Sequence, residues 1–139
     1  VQKGATEVRV KFGYTIIYVP NVAAAIDFYG RAFGLPTKFV HDSGQYGELD
    51  TGATTLAFAS HALADGNLPG GYQRPDPSAP PFGIELAFVT SDVPAAVARA
   101  SAAGAAVVVE AKAKPWGQVV AYVRAPEGTL IELCTSVGE

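Results

Sequence analysis

The sequence predicts an α+β fold: two tandem β-α-β-β-β modules that curve into a partly closed barrel around a central cavity. Three observations predict it. Residues 12–34 (FGYTIIYVPNVAAAIDFYGRAFG) and 82–104 (FGIELAFVTSDVPAAVARASAAG) follow one plan. Each is an apolar run, a polar or proline-bearing corner, then an Ala-rich stretch at helical spacing that stops at Gly. The module ends match as well, GATTLAFA from Gly52 against GTLIELC from Gly128. Between these landmarks short strand-like runs alternate with Gly, Pro and Ser turns. A duplicated module buries what neither copy buries alone, and the cleft between copies is a natural ligand site.

Each element has its own local reason. Val8–Val19 reads as the first strand, with Phe12, Tyr14, Ile16 and Tyr18 on one face. Pro20 breaks it and Asn21 supplies an N-cap. Val22–Phe33 carries Val22, Ile26, Tyr29 and Phe33 at helical spacing, with Gly34 as the C-cap and Pro36 just beyond. Strands follow at Thr37–His41, Gly47–Asp50 and Thr54–Ala59, separated by Ser43-Gly44 and Thr51-Gly52 turns. The second module repeats this: strand Phe82–Thr90, N-cap Asp92 with Pro94 just inside the helix, helix Val93–Ala103 and Gly104. Strands Ala106–Glu110, Val119–Arg124 and Leu130–Thr135 complete it, with Pro126-Glu127-Gly128 as a tight turn. The modules therefore span residues 8–60 and 81–137. The connector, 61–80, holds four prolines and three glycines without usable periodicity. A loop of that length is either a lid over a site or a plain tether. One helix covers one face of each sheet, so the opposite faces must be buried elsewhere, which makes a cavity between them.

Composition removes several function classes. At 139 residues the chain holds one domain or two fused half-domains. With 49% hydrophobic and 17% charged residues it is globular rather than disordered. Its net charge of −3, without a Lys/Arg cluster, argues against nucleic acid. No apolar stretch approaches the roughly 20 residues of a membrane span, and no signal-peptide pattern opens the sequence. A single cysteine, Cys134, fits a reducing cytoplasm. Val1 to about Thr6, in a chain without methionine, reads as a tag remnant or processed end. No dinucleotide or Walker glycine loop, no nucleophile elbow around Ser101 or Ser136, and no structural-zinc spacing is present.

The opening TIIYVPNVAAAIDFYGRAFGL and the closing WGQVVAYVRAPEGTLIEL resemble the glyoxalase/bleomycin-resistance/dioxygenase superfamily, also called vicinal oxygen chelate proteins, over about Val10 to Ser136. The resemblance implies paired modules, usually a homodimer, and a function between metal-dependent lyase, isomerase or dioxygenase and metal-free antibiotic sequestration. Fold alone does not choose among these. Family enzymes place a His or Glu ligand on the first and last strand of each module. Those positions here are Tyr14, Ala57, Glu85 and Glu132. Two carboxylates without imidazole suit zinc or iron poorly, whereas waters or substrate oxygens could complete a magnesium or manganese shell, so the expectation is one divalent ion (Mg, Mn, Ni or Zn) or none.

The carboxylates also have a reading of their own. Glu85 lies between Ile84 and Leu86, and Glu132 between Ile131 and Leu133, so period-2 alternation turns both acids to the cavity face. Acids are seldom placed there unpartnered. They are either a general base, or a pair raising each other's pKa, or they are neutralised by Arg124 or Lys112. Tyr14 and Tyr122 are cavity-wall donors or simple core. Trp116, flanked by Pro115 and Gly117, either packs on a flat ligand, as in bleomycin-resistance-like members, or closes a hinge. His41 reads as a solvent-exposed turn residue. His61 would approach the cavity as a ligand only if the connector folds inward. Cys134 shares the face of Glu132 but lacks a base, so it reads as a small buried hydrophobe. Two functions remain: a protein that holds an apolar or aromatic small molecule in the inter-module cavity, or a divalent-metal enzyme using Glu85 and Glu132.

Overall fold

A computed structural model of the chain describes residues 8–137; the expected tag remnant at Val1 to Thr6 lies outside them. The first module runs β1 (Tyr14–Val19), α1 (Val22–Phe33), β2 (Thr37–Val40), β3 (Tyr46–Leu49) and β4 (Thr55–Ser60). A short helix α2 (His61–Asn67) leads into the connector. The second module runs β5 (Glu85–Val89), α3 (Val93–Ala102), β6 (Ala106–Ala113), β7 (Val119–Arg124) and β8 (Leu130–Cys134). The strands make two four-stranded sheets, β1-β4-β3-β2 and β5-β8-β7-β6, which do not close into one barrel. In each the first strand pairs parallel with the last and the other pairs are antiparallel. The internal repeat read from the sequence is thus a repeat of topology.

Caps fix the helices where the sequence places them. The Asn21 side chain accepts from the Ala24 amide at 3.0 Å and the Asp92 side chain from the Ala95 amide at 3.1 Å. Gly34 ends α1 at φ 71°, a left-handed conformation that glycine adopts without a Cβ penalty. The two outer strands are shorter than the apolar runs that predict them. Pairing explains both: β4 begins at Thr55, opposite Tyr14, and β8 begins at Leu130, opposite Glu85. Residues before those points have no ladder partner, and Val8, Val10, Phe12 and Ile84 stand exposed. β6 runs three residues past Glu110 because its hairpin with β7 continues, through two register irregularities, to Ala113 opposite Val119.

The connector departs from its expectation too, since it opens with a helix. Ser60 caps α2, its hydroxyl accepting from the Leu63 amide at 3.1 Å, ahead of a His-Ala-Leu-Ala run of adequate helix formers. The proline-rich composition that reads as loop begins only at Pro69.

One core serves both modules. Leu56 and Phe58 of β4, Leu49 of β3, and Ile131, Leu133 and Val123 of the second sheet are buried with the inner faces of α1 and α3. An aromatic seam crosses the boundary: Phe58 to Tyr29 at 4.8 Å between ring centroids, Tyr29 to Phe33 at 5.7 Å, and Phe33 to Phe88 on β5 at 4.8 Å. Arg99 of α3 donates through Nε to the Arg31 carbonyl at 2.8 Å, placing a cation at the C-terminal end of α1. Fully buried Tyr29 donates its hydroxyl to Glu127 Oε2 at 3.0 Å in the β7–β8 turn, and Thr129 donates to the same oxygen at 2.7 Å. Burial, then the Glu127 charge, pushes the Tyr29 hydroxyl well above its ordinary pKa, so it stays a donor. Tyr29→Phe keeps the ring in the seam and removes this one link between modules. Urea denaturation should show a loss of about 1.5–3 kcal/mol, the range for a bond to a charged acceptor; an unchanged midpoint would show that the link contributes nothing.

Candidate functional site

Helix packing decides which side chains reach the open faces. Leu86 and Phe88 of β5, and Ile131 and Leu133 of β8, join the core under the helices. Alternation therefore turns Glu85, Glu132 and, across the register from Glu132, Tyr122 to the opposite face. In the first sheet Leu56, Phe58 and Leu49 face α1, so Ala57 and Glu48, which are register partners, face away. Tyr14 opens β1 and is 55% exposed.

Glu85 and Glu132 meet. The carboxyl of Glu85 is pushed up from the ordinary 4.5 to about 7 by a hydrogen bond to Glu132 that only the protonated acid can donate, by partial burial, and by the Glu132 charge. Two further groups feel the acids, and the Cys134 thiol also donates weakly to the Phe88 carbonyl at 3.9 Å. The Tyr122 hydroxyl is raised mainly by burial and by the two acids, and the Cys134 thiol by burial and its bond to Glu132, which leaves the thiol protonated and unreactive at neutral pH. No Lys, Arg or His lies at ion-pair distance from either acid among the described residues. Arg124, which the sequence offered as a counter-ion, instead donates to the carbonyls of Gly128, Ala79 and Asp76. Lys112 is exposed and also unpaired with them.

Glu85 also stands on the wall of a groove between β1 and β5, with a volume of about 290 Å³. Ile16, Tyr18, Phe82, Ile84, Leu86 and Leu130 supply its apolar surface, and Tyr72, Gln73 and Pro75 of the connector close one side. A second hollow, between Leu56 and Thr55 on one side and Ala87 and Phe88 on the other, shares Glu85 and Thr15 with the first. Of the residues singled out by sequence, only Glu85 lines the groove. Glu132 and Tyr122 sit behind it, and Tyr14 and Ala57 lie outside it on the first sheet. Trp116 is 62% exposed on the β6–β7 turn, its indole donating to Gln118 at 2.8 Å. His41 closes an exposed turn with Ser43 at 2.8 Å, as its setting predicts. His61 opens α2 and its Nδ1 shares a hydrogen bond of 2.6 Å with the Tyr72 hydroxyl, which directs it to the connector rather than to the acids.

Two residues of the open faces escaped the sequence reading. Glu48 is buried at 7% exposure, accepts from the Tyr46 hydroxyl at 2.8 Å and lies 3.7 Å from Lys38. It occupies in the first sheet the register position that Tyr122 occupies in the second. Alternation from Gly47 and Leu49 was the available signal, because it turns Glu48 away from the helix. Tyr72 was hidden in the connector, where no period announces it.

A divalent metal asks for more than this donor set provides. At the four positions that the resemblance marks, two carboxylates stand beside a phenol and a methyl group, and no three His, Cys, Asp or Glu gather among the described residues. The set does not fit zinc, nickel or iron, and within one chain it leaves magnesium or manganese with two protein ligands.

Comparison with known proteins follows the geometry. The family model described as Glyoxalase/Bleomycin resistance protein/Dioxygenase superfamily matches residues 11–133. No curated protein is significantly similar in sequence. Among solved structures, a glyoxalase-related enzyme from Fulvimarina pelagi superposes at TM-score 0.78 with 20% identity, over 91% of this chain and 88% of the other. A glyoxalase/bleomycin resistance protein/dioxygenase family enzyme from Burkholderia phytofirmans PsJN gives 0.72 at 21% identity, over 88% and 96%. TioX from Micromonospora sp. ML1 gives 0.66 at 23% identity, over 91% and 98%. At these identities the likeness is one of fold.

The raised Glu85 carboxyl sets a pH dependence. The folded-state pKa of Glu85 lies above its ordinary value, so as pH rises the unfolded chain releases this proton first. The stability that the proton contributes is full below about pH 4.5 and is lost as the pH climbs through about 7. Glu85→Gln keeps a donor toward Glu132 and removes the titration. Its thermal midpoint should match wild type at pH 4.5 and exceed it at pH 8; a difference that does not vary with pH would show that the acids do not share a proton.

Proposed function

This chain belongs to the Glyoxalase/Bleomycin resistance protein/Dioxygenase superfamily, and we propose that it is a small-molecule-binding member that holds an apolar or aromatic ligand in the groove between its modules. The observation that carries this is the groove itself: about 290 Å³, walled mainly by aliphatic and aromatic side chains, with one carboxyl group, that of Glu85, on its lining. Small-molecule sites are of roughly 300 Å³ and upward and combine apolar walls with a few polar anchors. Near neutral pH Glu85 keeps part of its proton, so it can donate to or accept from a polar atom of the ligand. Glu132 serves by holding that proton. Tyr14, Ala57 and Tyr122 belong to the open sheet faces beside the groove. Trp116 lies outside it, so aromatic contact falls to Tyr18 and Tyr72 instead.

The family resemblance implies a homodimer. The exposed apolar side chains of the open side, Phe12, Tyr14, Ile16, Ile84 and Val89, support that assembly, because a second copy would remove them from water. Among the described residues no helix is long and apolar enough to cross a membrane. The second reading is a metal-dependent lyase, isomerase or dioxygenase, and the pair of acids without a cation is what favours it.

Two measurements separate these. Binding of the neutral dye 1-N-phenylnaphthylamine should be saturable. Ile16→Asp, which puts a charge into the apolar wall at a half-exposed position where folding tolerates it, should weaken binding at least about tenfold. A folded Ile16→Asp protein that binds as wild type does contradicts the groove. Metal analysis of protein purified without chelator, with magnesium, manganese, nickel and zinc titrations, should find no stoichiometric ion; about one ion per chain, lost in Glu132→Gln, would instead sustain the enzyme.

A further inference from the structure

The connector is anchored at both ends of the stretch that walls the groove. At the first anchor Tyr72 shares its 2.6 Å hydrogen bond with His61, the ring stacks on the imidazole with centroids 5.7 Å apart, and its edge meets Tyr18 of β1 at 5.2 Å. The Arg74 guanidinium lies 5.7 Å from the Tyr72 centroid and pairs with Asp65 of α2 at 2.9 Å. At the second anchor Arg124 of β7 divides its donors among three backbone carbonyls: Nε to Gly128 at 2.9 Å, Nη1 to Ala79 at 2.8 Å and Nη2 to Asp76 at 3.1 Å. The Asp76 side chain turns the chain back by accepting from the Ser78 amide at 2.9 Å and hydroxyl at 2.7 Å. Gly128 has φ 108°, and a Cβ there would come within 3.2 Å of both Pro75 and Arg124, so the β7–β8 turn leaves the connector just enough room to seat.

We propose that Arg124 and His61 are positioning residues that hold Tyr72–Ala79 as a fixed wall of the groove, and that this wall selects compact aromatic ligands over larger ones. The inference rests on the groove's being the ligand site. It explains why Arg124 donates to the connector rather than to the acids: a planar fork spreads five donors over three nitrogens and reaches three separated carbonyls, whereas an ammonium offers its three donors from a single nitrogen. The connector is then neither tether nor mobile lid, because one end is fastened to the helix that follows the first module and the other to a strand of the second.

Arg124→Lys keeps the charge and loses the fork. Hydrogen exchange of the unliganded protein should show the Ser78 and Ala79 amides exchanging at least tenfold faster than in wild type, while core amides of β4 and β8 keep their rates. Unchanged rates at 78 and 79 overturn the positioning role. Selectivity is read with two neutral dyes, 1-N-phenylnaphthylamine and the larger, fused-ring Nile red. Wild type should favour the smaller, and both Arg124→Lys and Tyr72→Ala, a substitution in a part-exposed loop residue, should move the affinity ratio at least fivefold toward Nile red. Both affinities falling together at a constant ratio overturns the selecting wall. Ile16→Asp distinguishes the two failures. If it abolishes dye binding and the ratio in the wall variants is unchanged, the groove stands and the wall falls; if binding survives Ile16→Asp, the groove reading fails and the wall with it.

Discussion

A single helix covers one face of a four-stranded sheet and leaves the other bare, and that geometric limit governs this protein. The chain meets it twice, in identical order, and joins the two helix-covered faces into one core through the Tyr29–Phe33–Phe88 seam. What remains is two bare faces whose first strands, β1 and β5, lie side by side across a groove. Glu85 and Glu132 are found on that side, because an unpaired charge under the helices would be costly.

The acids follow from the same limit. Alternation along β5 and β8 sends Glu85 and Glu132 to the same side, where the register sets Glu85 opposite Leu130 and Glu132 opposite Ala87, so the two acids are diagonal neighbours. With no cation beside them among the described residues, Glu132 raises the Glu85 carboxyl to about 7, so Glu85 keeps part of its proton near neutral pH. The first sheet reaches a different solution with Glu48, whose charge is met by Lys38 and the Tyr46 hydroxyl. The two modules thus differ on this face: the acid of the first meets a cation, whereas the two acids of the second meet none among the described residues.

Much of this was legible in the sequence for physical reasons. The repeat, the caps Asn21 and Asp92, the Gly34 stop and the facing of Glu85 and Glu132 are local properties, set by period and by side-chain chemistry within a few residues. Strand ends were not legible, since they depend on where a distant partner starts: β1 waits for Thr55 and β5 for Leu130. The fate of Arg124 was equally hidden. Nothing nearby in sequence says that its donors will reach back to Asp76 and Ala79, some 45 positions away. For Trp116 a turn flanked by Pro and Gly allowed two readings, ligand contact or hinge, and its indole donates to Gln118 while the side chain stays exposed. The helix α2 was overlooked because the prolines of the connector dominate a window that begins with good helix formers.

The groove between β1 and β5 is the point on which the functional account turns, and amide shift mapping reaches it most directly. In a titration of isotopically labelled protein with 1-N-phenylnaphthylamine, the perturbed amides should cluster at Thr15–Tyr18, Tyr72–Gln73, Glu85–Leu86 and Gly128–Leu130, with little change along α1 and α3. Perturbations centred instead on the hollow between α1 and the Pro126-Glu127 turn, or scattered without a focus, would contradict it.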